Sequence, residues 1–179
     1  MTASDSDLIA RTLAHDDRAA FGELVRRHQS AVRHFLRHLS GDAALADDLA
    51  QDTFVFAYRQ LARFRGNSAF STWLLGIAHN HWRNARRKQR TVPLSEEHLG
   101  ALDPEPAATD RSEWQADLAA AMRELSADER TALHACYTQG LSHSEAAGVL
   151  DWPLGTVKTH LNRAKEKLRR ALSPWNPTR

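Results

Sequence analysis

At 179 residues, 42% hydrophobic and 26% charged, the chain has the make-up of a water-soluble globular protein with room for one medium domain or two small ones. Its formal net charge is only +2, and no apolar run approaches the ~20 residues of a membrane span, so membrane insertion is not expected. One cysteine, Cys136, excludes an internal disulfide, and a polar, acidic N-terminus in place of a secretory signal points to the reducing cytoplasm.

The pattern is helical throughout, because period-two alternation is almost absent and β-branched residues are sparse. A first helix is predicted over about residues 5–14. A second is predicted over about 17–39, where Phe21, Leu24, Val25, His28, Val32, Phe35, Leu36 and Leu39 recur at three- and four-residue spacing and form one apolar stripe. Ser40-Gly41-Asp42 is a stop-and-restart signal, with Gly at a C-terminal cap and Asp at the next N-cap. A third helix follows over about 43–61, then a loop at 62–70 and a fourth helix at about 71–89. Residues 91–110 hold three prolines and five acids, with no base and no clear period, which reads as an extended linker. Beyond it, Asp110 with Glu113, Ser126 with Glu129, and Ser142 with Glu145 each repeat the spacing of a capping box ahead of an apolar run. Pro153 suits the first turn of the last helix, where a missing N–H costs nothing. The expected fold is all-α: two small helical domains, 1–90 and 112–179, joined by a flexible acidic linker at 91–111.

Charge is spread unevenly. Residues 79–90 carry five Arg or Lys and no acid, residues 156–170 six and one acid, and residues 40–53 four Asp and no base. Two basic segments on separate helices suggest a polyanion touched at two places, although each alone also resembles a solvated face. Residues 142–168 pair a short capped helix with a tight turn and a longer basic helix, which is helix-turn-helix organisation. Val157, Leu161, Ala164 and Leu168 make the inward stripe of the second helix. Thr159, Asn162 and Arg163 then point outward, flanked by Thr156 and Lys158. Lys and Arg can read guanine or hold phosphate, Asn can pair with adenine, and Thr can bind phosphate.

These residues resemble a known family. Leu141-Ser142, Glu145-Ala146-Ala147, the run Pro153 to Lys158, Leu161 and Arg163-Ala164 are similar to the promoter-binding C-terminal domain of bacterial RNA polymerase sigma factors. The group resembled is the extracytoplasmic-function (ECF) group of the sigma-70 family. The resemblance implies −35 DNA binding by Thr156, Lys158, Thr159, Asn162 and Arg163. Ala146, Asp151 and His160 depart from the family's usual larger aliphatic residue, Gly and Arg.

The N-terminal half supports the same likeness. In a helix over 47–59, Asp48, Gln51, Asp52 and Val55 share one side, while Leu45, Leu49, Thr53 and Phe56 form another. An acidic face is commonly just solvated. Here it also resembles the segment that docks on the β′ clamp helices of core RNA polymerase, which implies polymerase binding by Asp47, Asp48, Gln51, Asp52 and Val55. Residues 64–80 follow the pattern of the family's −10 segment, which implies DNA contacts from Arg65, Asn67, Ser68, Phe70, Trp73, Asn80, Arg83, Arg86 and Arg87. The chemistry suits that role: a base taken out of the stack needs hydrogen-bonding groups and an apolar wall, and arginines hold phosphates. Trp73 either stacks on a base or packs in the core; for Trp82, packing is expected.

The implied function is a sigma factor that binds core polymerase at the β′ clamp helices and β flap, reads −35 DNA and melts −10 DNA. An anti-sigma factor is a further partner that the family allows. The alternative is a stand-alone helix-turn-helix regulator. No cofactor or metal is expected: His79 and His81 lie on different helix faces, and His34 and His38 lack the carboxylate pattern of a zinc helix. No nucleophilic or glycine-rich phosphate site emerges, so no catalytic activity is expected.

Overall fold

In the computed structural model of the chain, the described residues are 3–90 and 113–173. The chain divides into two compact units, Met1–His98 and Leu99–Arg179, and among the described residues every regular element is helical. The linker expected at 91–111, and Asp110 of the first capping pair, lie outside the described residues.

The first unit contains α1 (Asp5–His15), α2 (Arg18–Ser40), α3 (Ala43–Gln60) and α4 (Phe70–Arg90). Caps set its boundaries. Ser4 and Asp7 form a capping box at the start of α1, and the Asp17 carboxylate accepts from the Ala20 N–H at the start of α2. Gly41 ends α2 in the left-handed region at φ 66, and Asp42 opens α3 by accepting from the N–H groups of Ala44 and Leu45. The stripe on α2 is buried at Phe21, Leu24, Val32, Phe35, Leu36 and Leu39, against Leu49, Phe54 and Ala57 of α3 and Leu74, Leu75 and Ala78 of α4. Each large side chain so buried is worth roughly 1.5–3 kcal/mol. α1 packs on α2 through Leu8 and Ile9, and the Tyr58 hydroxyl of α3 donates to Asp16 just beyond its end.

The second unit contains α5 (Glu113–Arg123), α6 (Ala127–Leu133), α7 (His143–Leu150) and α8 (Leu154–Ala171). α6 continues through a widened turn, His134–Thr138, in which the Gln139 N–H reaches the His134 carbonyl at 3.0 Å. The capping boxes expected at Ser126 and Ser142 are both formed, with Glu129 and Glu145 returning the second bond. α8 lies against α5, α6 and α7, with Val157, Leu161 and Ala164 buried and Leu168 half-buried. Glu129, only 4% exposed, joins α6 to α8 by accepting from Lys167 Nζ at 2.7 Å and from the Ser126 N–H at 2.8 Å. Asp151 ends α7 at φ 55, so the left-handed position that a glycine would suit holds an aspartate. Pro153 stands one place ahead of the first turn, and its carbonyl receives the N–H groups of Thr156 and Val157.

Candidate nucleic-acid interface

Four surfaces carry functional groups, two of them on helices whose other side is buried. On α3, burial of Leu49, Ala50, Thr53 and Ala57 turns Asp48, Gln51, Asp52 and Val55 outward together. Val55 is 44% exposed. Phe56 shares a side with the buried Leu49 and Thr53 but differs from them. It is also 44% exposed, with its ring edge-on to His81 of α4 at 5.6 Å, because its angle around the helix carries it past the buried strip. Asp47 differs from its neighbours: its carboxylate lies 3.4 Å from Arg33 and 3.5 Å from Arg37 of α2.

Between α3 and α4 a 3₁₀ turn, Leu61–Arg63, leads into the loop at 64–69. Gly66 takes φ 71, which a side chain would strain. Arg65, Asn67 and Ser68 around it are exposed. Flanking them is an aromatic floor. The rings of Phe64 and Phe70 are 5.5 Å apart, those of Phe64 and Trp73 5.4 Å, and those of Phe70 and Trp73 5.6 Å. Phe70 is 4% exposed, with its ring packed against those of Phe64, Trp73 and His28. Trp73 is half-buried, packed on the other two rings yet still reachable.

Further along α4, Asn80 is exposed and accepts from Arg83 Nη2 at 3.3 Å. Arginine only donates, so the amide oxygen faces it and the amide NH2 is turned away. Arg86 lies over the Trp82 ring at 5.4 Å, and Trp82 in turn packs beside His79 at 5.5 Å. That is the packing role expected for Trp82, with a cation held on its outer face. Arg87 is exposed.

On α8, Lys158, Thr159, Asn162 and Arg163 are exposed and Thr156 is half-buried, in the order the helical repeat requires. The Thr159 hydroxyl donates to the Gly155 carbonyl at 2.8 Å. While that bond stands Thr159 offers a methyl group and lone pairs, so it cannot donate to a phosphate. His160 turns aside and packs on Trp152 of the turn at 5.3 Å. The fourth surface is one the sequence reading missed. It is an apolar groove of about 580 Å³ in the second unit, lined by Trp114, Leu133, Tyr137 and Leu168, with Lys165 and Arg169 on its rim. Lys165, Leu168, Arg169 and Leu172 recur at helical spacing along α8 and its end, but Trp114 comes from α5, Leu133 from α6 and Tyr137 from the widened turn, and no single period joins these segments.

Two family profiles match the chain: Sigma-70 region 2 over residues 24–92, and Sigma-70, region 4 over residues 115–168. The RNA polymerase sigma-H factor of Pseudomonas aeruginosa is 34% identical, over 95% of this chain and 94% of its own length. The chain belongs to the sigma-70 family, in its extracytoplasmic-function group. It is a sigma factor that directs RNA polymerase to promoters. The ECF RNA polymerase sigma-E factor of Haemophilus influenzae is 31% identical, over 96% of each chain. Among solved structures, the sigma factor RpoE of Bartonella quintana, in complex with the anti-sigma factor NepR, is 28% identical. It superposes with a TM-score of 0.66 over 86% of this chain and 96% of its own. CnrH, in complex with the cytosolic domain of CnrY, gives 0.63 at 27% identity, over 95% and 97%. The acidic helix, the loop and α4 of this sigma factor thus fall in region 2, and the turn and α8 in region 4. Among the described residues no group of three His, Cys, Asp or Glu side chains is placed to hold a metal, and no helix is long and apolar enough to cross a membrane.

Proposed function

We propose how the sigma function is divided among these surfaces. The α3 face of Asp48, Gln51, Asp52 and Val55 docks on the β′ clamp helices of core polymerase, where acids complement a basic coiled coil and one aliphatic contact sets register. Asp47 has a lesser part, since two arginines already neighbour it. The groove under Trp114 and Tyr137 is the second docking place, for the β flap. Arg65, Asn67 and Ser68 capture non-template bases of the −10 element flipped from the stack, Trp73 closes one side of that site, and Asn80 adds a donor. Arg83, Arg86 and Arg87 hold phosphates. On the −35 duplex Lys158, Asn162 and Arg163 reach base edges or phosphates, and the Thr159 methyl suits a thymine. No catalysis by the chain is required: unstacking costs a few kcal/mol per base, and capture of the flipped bases supplies it. An anti-sigma factor is a further partner in this reading.

The observation that carries the proposal is the exposed polar Gly66 loop flanked by three mutually packed aromatic rings, Phe64, Phe70 and Trp73, in the same unit as the acidic face. The test is transcription from purified core enzyme plus this protein, on promoters found by mapping genome-wide transcription starts after its overproduction. Expected are run-off products and one shared pair of upstream elements. A protein that neither binds core nor programmes any promoter would overturn the proposal.

A further inference from the structure

Asp5 and His28 belong to none of the surfaces above, yet they sit directly behind the −10 loop's support. His28 Nε2 lies 2.6 Å from Asp5 Oδ2. A carboxylate oxygen only accepts, so Nε2 carries a proton and donates. Arg27 donates to the other Asp5 oxygen at 3.1 Å, and is itself held by Glu23 at 2.8 Å. The His28 side chain is 16% exposed and that of Asp5 31%, so this bond is partly shielded from water. It ties the first residue of α1 to the middle of α2.

The His28 ring also meets the Phe70 ring edge-on, with centroids 5.5 Å apart at 71°. Phe70 opens α4 and is the buried member of the aromatic floor. In the loop above, the Ser68 hydroxyl donates to the neighbouring Ala69 carbonyl at a long 3.4 Å. A hydrocarbon of imidazole size could fill the space beside Phe70. What the carboxylate adds is a fixed ring angle, since a charge-assisted hydrogen bond is short and directional.

We propose that the Asp5–His28 pair is a positioning element for promoter opening: it sets the imidazole against Phe70, and thereby sets the floor on which residues 65–68 present their base-capturing groups. Neither side chain touches DNA. The inference rests on the −10 role proposed for that loop.

The test uses holoenzyme assembled from full-length variants. The probe is a fluorescent single-stranded oligonucleotide with the non-template −10 sequence of the strongest mapped promoter, and core affinity is measured on the same samples. Asp5→Ala and His28→Phe, which keeps a ring but loses the donor, are expected to weaken capture of the strand roughly tenfold, the worth of a hydrogen bond to a charged group. Core affinity should stay within about twofold. Asp5→Asn, whose amide oxygen still accepts the same N–H without the charge, should recover part of the loss. Three outcomes count against the idea, each differently. Unchanged capture in Asp5→Ala and His28→Phe, with a loss in Asn67→Ala, removes the positioning role and leaves the loop assignment standing. Unchanged capture in Asn67→Ala as well removes the loop assignment and the inference with it. Capture and core affinity falling in parallel, with no recovery in Asp5→Asn, reduces the pair to general packing.

Discussion

The two candidate DNA-facing devices are built on opposite plans. On α8 the outward groups stand on a helix whose back, Val157, Leu161 and Ala164, is buried. The position of each follows from one repeat. In the first unit the polar groups stand on a short loop with no repeat, and rings from the loop itself, from α4 and from α2 hold it in place. A helix-displayed surface can be altered one residue at a time without disturbing its neighbours. A loop-displayed surface takes its geometry from what lies beneath it, so a change in the core reaches the ligand.

The strongest way to break this contrast is at the floor. Phe70→Ala removes a 4%-exposed ring and should cost about 3–5 kcal/mol of stability. Thermal unfolding should show it, and −10 strand capture should be lost even at temperatures where the fold survives. If capture persists, the loop is independent of its floor and the two plans are not different.

The counterpart in the second unit is the bond behind α8. Lys167→Met leaves Glu129 buried without its cation, at an expected cost of about 2 kcal/mol, below the range for fully buried pairs because the ammonium is partly exposed. Burial pushes the Glu129 carboxyl up, but Lys167 and the Ser126 N–H outweigh it and hold the group below its ordinary value of 4.5. A carboxyl depressed by folding contributes stability that is present above its unfolded value and is lost as pH falls through the lower, folded one. Melting temperature of the wild type should therefore drop as pH falls below 4.5, and Glu129→Gln should flatten that dependence. Duplex binding by α8 at neutral pH should survive both changes, as a self-supporting helix requires.

On the face itself, Lys158→Ala with Arg163→Ala should leave the melting temperature unchanged and weaken −35 binding roughly tenfold, with a flatter salt dependence, since two cations leave the interface. A fall in stability would show that these side chains do more than project. The smallest effect is expected at the turn. Asp151→Gly relieves the left-handed strain at φ 55 but adds backbone freedom to the unfolded chain, and the two should nearly cancel, within about 0.5 kcal/mol. A large loss would mean that the aspartate side chain, not the backbone angle, holds the turn.

Where one helix carried the information, the sequence was readable. The stripe on α2, the Gly41–Asp42 break, the boxes at Ser126 and Ser142, and the outward set on α8 all stand where spacing places them, because a helix converts spacing directly into direction. Legibility ended where two elements meet. Phe56 shares a side with Leu49 and Thr53 by period but is exposed, since the partner's footprint, not the period, decides where a buried strip ends. Phe70 sits in the motif, and only the packing of α2 and α4 shows its ring to be buried. That Asp47 lies beside Arg33 and Arg37, and that Asp5 holds His28, are facts of tertiary placement across 10 or more residues of chain. No local pattern announces them. The groove under Tyr137 is of the same kind.

The neighbourhood of Asp47 has a consequence for how a partner approaches. Two guanidinium groups against one carboxylate leave that border of the acidic face net positive, while Asp48 and Asp52 one step around the helix stay negative. In the docking proposed for this face, a basic coiled coil drawn in over a Debye length of roughly 10 Å at 0.1 M salt meets attraction on one side and repulsion on the other. The border then acts as a rudder: it turns the incoming surface before contact and disfavours the reversed encounter. Its influence fades as ionic strength rises, so added salt should increase the share of misoriented collisions faster than it weakens the bound complex.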